Sequence, residues 1–289
     1  MNSLRFRCVR LYARLYGVIK DSLGLNLRGF GLALDQLTSP GVLRVHDLSL
    51  YFHPPVARSF ARLVAGDWNE PESHKFLRDV LKLIPESVVF VDVGANVGEM
   101  VLDMARHPKV DKILAFEPNP ECVYSLQGSL ELNGFDGVTL FMSACGSVTE
   151  DASFRVGADP STGSLTREPA FGDSDTRVEV TMLDAHLMHI GKPALLLIDV
   201  EGHELEVLKG GRNFVAENHP LIVFEYHGET RKFFSLGDVK DVLGDGYVLR
   251  RLTRNGRLSE DLRGAWNMVA LPLDGPFREV LAGLPEEHT

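Results

Sequence analysis

Asp92, Gly94 and Gly98 stand in the run VVFVDVGANVGE, Val88 to Glu99, where a buried strand should hand over to a helix. The glycines leave the main chain open to a ligand, and the amides of a helix start favour an anionic group, while Asp92 favours a cationic one. That pairing suits a zwitterion. A dinucleotide fingerprint needs G-x-G-x-x-G, and the spacing here, D-x-G-x-x-x-G, is one glycine short. The aminoacyl end of S-adenosylmethionine meets the requirement, offering an ammonium to Asp92 and a carboxylate to the loop amides. Glu117 ends the next apolar run, KILAF, about two dozen residues beyond Gly94, which is the place of a ribose-binding carboxylate. The alternative is that Glu117 only caps the helix opening at Pro120.

A second group of side chains could act on a bound methyl group. Asp199, Glu201 and His203 lie in IDVEGHE, and Glu225 and His227 lie in FEYHGE. Methyl transfer from a sulfonium is an in-line displacement, so an acceptor atom must be held ~3–3.5 Å from the methyl carbon and lose a proton. An imidazole titrates nearest neutral pH, which makes His203 the first candidate base, oriented by Glu201 or Glu225, and His227 the second. The competing role for His203 is completion of a helix's first turn. Asp199, at the end of an apolar strand, costs on the order of several kcal/mol unless paired or in use. Glu204 reads as structural. No metal set is assigned; a Mg²⁺ shared by Asp199 and Glu225 is the alternative, weakened by how few acids there are. His186 and His189 form an H-x-x-H without a third ligand and read as surface.

With these residues in view the chain resembles the FkbM-type S-adenosylmethionine-dependent methyltransferases. The resemblance rests on VDVGANVGE, on FEPNP with LNG, and on LLIDVEGHELEVLKGG followed by FEYHGE, in order over residues 70 to 230. IDVEGHE is the most specific of them. The resemblance implies O-methylation of a hydroxyl on a saccharide, glycolipid or polyketide-like small molecule. It places Asp92, Gly94, Asn96 and Gly98 at the aminoacyl end of the cofactor, Glu117 on the ribose, and Ser143 and Ala144 near the adenine. The rivals are a Rossmann-type NAD-dependent oxidoreductase, disfavoured by the missing glycine, and a non-catalytic S-adenosylmethionine-binding module, disfavoured by intact Asp92 and Glu117.

Such groups need a scaffold that opens at its strand ends. Buried strands are legible at Val88 to Val93, Lys112 to Phe116, Val138 to Met142, Ala194 to Val200 and Leu221 to Glu225, with helical segments between them. The spacing predicts a doubly wound, mostly parallel, seven-stranded α/β Rossmann-like methyltransferase sheet. Tyr247 to Leu252 and Trp266 to Leu271, around Asn255-Gly256, add an antiparallel edge. Residues 146 to 177 form a long polar departure, with Asp159 to Asp175 as a lid or acceptor-binding loop and Arg177 to Leu183 extended. A helix is expected from Asn69 or Pro71 to Leu83, which starts the methyltransferase domain, 69–289, after an extension of residues 1–68.

In that extension Gly41 to Phe52 alternates around His46-Asp47 as a hairpin, a cover and not a core. Before it, Arg5, Arg7, Arg10, Arg14, Lys20 and Arg28 face one acid, Asp21, and Leu4, Leu11, Leu15 and Val18 recur at helical spacing. This is a basic amphipathic helix docked on the protein's own body or, in the alternative, on a membrane surface. Its arginines leave no uncharged core for a signal peptide. The chain's 289 residues are 44% hydrophobic and 24% charged, enough for a full α/β core. A net charge of −10 argues against a nucleic-acid surface. Three scattered cysteines indicate neither a disulfide framework nor a zinc site and point to a reducing cytoplasm. No apolar run approaches the ~20 residues that span a bilayer.

Overall fold

The computed structural model of the chain describes residues 8, 10–15, 18–19, 41–52, 61–155, 163–166, 175–281 and 283–284. In the extension, helical residues 10–15 lie by a hairpin of β1 (Gly41–Val45) and β2 (Leu48–Phe52), turning at His46-Asp47, followed by helix α1 (Ala61–Ala65). Leu43, Val45, Leu48 and Leu50 join Ala13, Leu63 and Trp68 in a small core that also takes Val97, Leu102 and Cys122 from the main domain. The hairpin is thus a cover with a core of its own. The Ser49 amide donates to Asn133 Oδ1 at 2.9 Å and the Tyr51 amide to Ser129 Oγ at 2.8 Å, so helix side chains close an otherwise open strand edge.

The expected apolar stripe of the amino-terminal helix does not pack inward. Leu11, Leu15 and Val18 are exposed, and Ala13 is the buried side chain. Arg10 donates to the carbonyl of Arg44, which brings the helix close enough that a small side chain fills the gap. Leu4 lies outside the described residues.

The main domain opens with α2 (Pro71–Leu83), whose Pro71 suits a first turn that needs no amide donor. It continues through β3 (Val88–Val93), α3 (Glu99–Ala105), β4 (Val110–Phe116), α4 (Pro120–Asn133) and β5 (Val138–Phe141). The described part of the polar departure is structured. Strands β6 (Ala144–Cys145), β7 (Glu150–Arg155), β8 (Ser164–Thr166) and β9 (Asp175–Thr181) form a separate four-stranded sheet in the order β6-β9-β7-β8. Phe154, Val178 and Val180 bury one face of it, and the extended reading of Arg177 to Leu183 holds in β9, whereas β7 and β8 were not foreseen. Of the expected lid, residues 159–162 and 167–174 lie outside the described residues.

After β9 come α5 (Asp184–Leu187), β10 (Ala194–Ile198), α6 (Glu204–Gly210), α7 (Arg212–Asn218), β11 (Leu221–Glu225) and α8 (Leu236–Leu243). The chain closes with β12 (Tyr247–Leu252), β13 (Leu258–Ser259), β14 (Asn267–Pro272) and α9 (Arg278–Leu281). The main sheet has eight strands, not seven, in the order β13-β12-β14-β11-β10-β3-β4-β5. The extra strand is the two-residue β13, too short to show a period. The expected antiparallel edge is present, since β12 pairs antiparallel with β14 and with β13 at that end of the sheet, and β14 joins it to β11, antiparallel as well.

Period-two alternation sorts the sheet's side chains to two cores. Phe90, Ile113, Leu195, Leu197 and Val223 face α2, α3 and α9, while Val91, Leu114, Leu196, Ile198 and Phe224 face the helices α5 to α8. The same parity carries Asp92, Asp199 and Glu225 to the α2 side at the carboxyl ends of neighbouring parallel strands. Ile198 registers with Phe224 and with Val93, and the Asp199 amide extends the ladder to the Val93 carbonyl at 2.9 Å. Among the described residues no helix is long and apolar enough to cross a membrane.

Candidate active site

A cleft opens at the carboxyl ends of β3, β4 and β10. Gly94, Asn96, Glu117, Ser143 and Ala144 line it as expected, and so do Asp199, Glu201 and His203. Phe154, Gly163 and Leu165 form a wall at the four-stranded sheet; Gly163 and Leu165 fall within the segment expected to act as a lid or acceptor-binding loop, while Phe154 was not singled out. Asp92 and Gly98 do not line the cleft. Asp92 is buried toward α2, with Oδ2 lacking a donor, and burial with Glu117 and Glu99 nearby pushes its carboxyl up to about 8. Gly98, at φ 88°, is there for packing: a Cβ would lie 2.2 Å from Leu126 Cδ1.

The loop amides are committed elsewhere. The Gly94 and Ala95 amides donate to the Phe116 carbonyl, Asn96 to Glu117 Oε2 at 2.8 Å, Val97 to Asn96 Oδ1, and Gly98 to the Ala95 carbonyl. The turn is therefore tied to β4 and does not offer those five amides to an anion. Gly94, at φ 92°, answers a close crossing, since a Cβ there would meet the Asp199 carbonyl at 1.8 Å. That crossing sets the ends of β3 and β10 side by side.

Glu117 is held from both sides, its Oε1 accepting from the Asn119 amide at 2.7 Å and its Oε2 from Asn96. The helix-capping alternative fails: Asn119 is the N-cap of α4 and accepts from the Glu121 amide. Burial nevertheless lifts the Glu117 carboxyl to about 7 against those two bonds.

His203 occupies the N-cap position of α6 but its side chain makes no capping hydrogen bond. Glu204 serves the turn instead, its Oε1 accepting from the Val200 and Gly202 amides, so its structural reading holds. Glu201 sits at φ 54°, an unusual conformation for a side chain of its size. Glu225 faces His227 and not His203, its Oε1 lying 3.1 Å from His227 Nε2. One ligand atom each from Glu201, Glu225 and His227 falls within 4.8 Å of the others. Neighbours missed in the sequence support this corner: Asn267, opposite Glu225 on β14, donates to Glu70 Oε2 at 2.7 Å.

Burial and mutual repulsion raise the acids of this corner. Burial and then Asp199 and the neighbouring glutamates push Glu225 up to about 12, and burial followed by Glu70, Glu201, Glu204 and Asp92 raises Asp199 far above the usual carboxylate range. Burial lowers His227, leaving its imidazole neutral at pH 7. No Lys or Arg lines the cleft among the described residues. Of the H-x-x-H pair, His189 is exposed, but His186 is half-buried against Phe141, 4.6 Å between centroids, and bonds Thr181 Oγ1 at 2.9 Å. Its surface reading is corrected, because the Phe116–Phe141 stack supplies an apolar shelf for the ring.

Residues 92–253, more than half of the chain, match the Methyltransferase FkbM domain. The chain belongs to this family. The methyltransferase sdnD of Sordaria araneosa is 35% identical to this FkbM-family chain over 179 residues, covering 51% of the chain and 68% of that protein. The hexuronic acid methyltransferase AglP of Haloferax volcanii is 29% identical over 197 residues, 62% of this chain and 73% of that one. Methyltransferase 1 of Beauveria bassiana is 28% identical over 149 residues, 44% of this chain, which spans only 59% of that protein's length. A solved FkbM methyltransferase structure from Methylobacillus flagellatus is 20% identical, with a TM-score of 0.44, covering 64% of this FkbM-family chain and 43% of that one.

Proposed function

We propose that this chain is an S-adenosylmethionine-dependent O-methyltransferase whose acceptor is a hydroxyl of a saccharide or glycolipid. The observation that carries the reading is a cleft lined by Glu117, Asp199 and Glu201 and by no Lys or Arg among the described residues, which favours a ligand bearing positive charge. When bound, S-adenosylmethionine supplies an electrophilic methyl group on a sulfonium. Glu117 accepts from the ribose hydroxyls, Ser143 and Ala144 flank the adenine, Asp199 takes the ammonium, and the Asn96 Nδ2 donates to the carboxylate. Phe154 and Leu165 wall the cleft and exclude water. His203, beside Asp199 and Glu201, takes the proton of the acceptor hydroxyl. The name of AglP supports a sugar acceptor. Incubation with labelled S-adenosylmethionine and a panel of saccharides and glycolipids, read by mass spectrometry, tests the reading. Cofactor binding without any labelled product would leave a non-catalytic module.

Cofactor affinity is expected to rise with pH through about 7. Glu117 and Asp199 carry raised pKa values in the free protein, and hydroxyl donors and a cationic ligand favour their charged forms. Protons are then released on binding. Glu117→Ala should weaken binding by ~1.5–3 kcal/mol, the range for hydrogen bonds to a charged group, and remove the limb near 7. Calorimetry in buffers of different ionisation enthalpy reads both effects, and unchanged affinity takes Glu117 out of the site.

The exposed Leu11, Leu15 and Val18, with exposed Arg14 beside them, support a peripheral contact of the amino-terminal helix with an anionic membrane. Cosedimentation with anionic and neutral vesicles decides between that contact and none.

A further inference from the structure

We propose that Glu201, Glu225 and His227 form a divalent-cation site at the ends of β10 and β11, and that the cation seats an acceptor through two adjacent oxygen donors. The inference rests on reading the neighbouring cleft as the cofactor site. Three observations support it.

The donor atoms converge. All three fall within 4.8 Å of one another, and the one separation resolved individually, Glu225 Oε1 to His227 Nε2, is 3.1 Å. Ligands bonded to one metal at ~2.1 Å lie roughly 3.0–3.5 Å apart, so this pair already has the spacing of two neighbouring ligands. The Glu201 carboxylate oxygen lies within 4.8 Å of both.

Glu225 has capacity to spare. It is 5% exposed, its Oε2 has no hydrogen-bond donor, and among the described residues His227 is the titratable side chain its Oε1 meets, at 3.1 Å. A buried carboxylate oxygen with no donor is costly, and a cation would satisfy it. Among the described residues no arginine or lysine does so.

The surroundings orient the set. His227 lies against the Trp266 ring, 4.6 Å between centroids. Glu225 is the last residue of a buried strand, which fixes its direction. Glu201 also lines the cofactor cleft, so the cation would sit between the cleft and the open end of the sheet, where an acceptor must approach. One imidazole among two carboxylates favours Mn²⁺ or Zn²⁺ over the all-oxygen preference of Mg²⁺ and Ca²⁺. Three protein donors leave positions for two acceptor oxygens, as in a vicinal diol or a hydroxy acid.

The test uses the full chain, stripped with chelator and titrated with Mn²⁺ by calorimetry and electron paramagnetic resonance. One Mn²⁺ per chain is expected, with affinity reduced at least tenfold in both Glu225→Gln and His227→Ala, whose folding is checked by circular dichroism. A Lys209→Ala variant, remote from the set, should bind as the wild type does. Chelation should abolish methyl transfer while cofactor binding persists, and Mn²⁺ should restore it. Absence of Mn²⁺, Zn²⁺ and Mg²⁺ binding, wild-type Mn²⁺ affinity in both variants, or full transfer in chelator would each overturn the site. Failure to bind S-adenosylmethionine would instead sink the cofactor reading, and the direct Mn²⁺ titration distinguishes the two failures.

Discussion

Substituting His203 with Gln is expected to lower turnover by roughly two to four orders of magnitude, the contribution of a positioned base, while the cofactor dissociation constant stays within about threefold. The expectation follows from where the side chain stands. It lines the cleft with Asp199 and Glu201, makes no capping bond to α6, and lies over Gly146, where an added Cβ would be 3.8 Å from its Nε2. Gln keeps a polar side chain of similar reach but cannot hold the proton. Steady-state rates with a labelled methyl group, set against calorimetric binding, separate a lost base from a lost binding contact. His227→Gln is the comparison, because His227 is the imidazole that Glu225 faces. Should His203→Gln retain most of its turnover, the cleft-lining imidazole is not the base; loss in His227→Gln then identifies a base only if added Mn²⁺ does not restore it.

Asp103→Ala is expected to destabilise the fold by about 3–5 kcal/mol, the range for breaking a buried ion pair from one side. Asp103 is fully buried on α3, with Oδ2 accepting from Arg78 Nη1 at 2.7 Å and facing His74 Nδ1 at 2.8 Å, and with Arg106 at 3.1 Å. His74 is fully buried too and stacks on Trp68 at 4.5 Å, so removing the carboxylate leaves the imidazole with Glu99, 3.7 Å from its Nε2, in place of the closer partner. Urea unfolding measures the loss.

The pH dependence of that network has a definite sign. His74 and its cationic neighbours hold Asp103 below the usual carboxylate range despite burial, so its stabilisation is present above the unfolded value near 3.8 and is lost as pH falls through the folded one. His74 is held above 6.5 by Asp103 and Glu99 against burial, so its share is present below 6.5 and is lost as pH rises through its folded value. The gap between wild type and Asp103→Ala should therefore be widest from about pH 4 to 6.5. A gap independent of pH would assign the effect to packing alone. Because α3 follows the Gly94–Gly98 turn, the variant should also loosen the cleft.

Much of the scaffold was legible because buried parallel strands are written as unbroken apolar runs. Val88 to Val93 and Leu221 to Glu225 have the bounds expected of them, and the hairpin at His46-Asp47 and the helix ending at Leu83 follow from alternation and from proline. The four-stranded sheet was not legible, since three-residue β8 and two-residue β6 are too short to carry a period. The position of β14 was hidden for a different reason. Sequence shows that two segments pair closely in the chain, but not that a third strand lies beside them, because pairing across the sheet is set by packing.

The side chains divide in the same way. Residue type and order along the chain determined that acids and imidazoles gather after the strands at Asp199 and Glu225, and that Glu117 directly follows β4. Only the tertiary structure decided which way they face. Asp92 looked like a ligand contact because it precedes a glycine turn, yet strand parity turns it toward α2, and the turn's amides are drawn to Phe116 and Glu117. His203 and His227 are equivalent as residue types, but one lines the cleft and the other faces Glu225, since each points where its own strand end and helix start direct it. Composition and spacing set the chemistry within reach, and the register of β3, β10 and β11 set which groups share it.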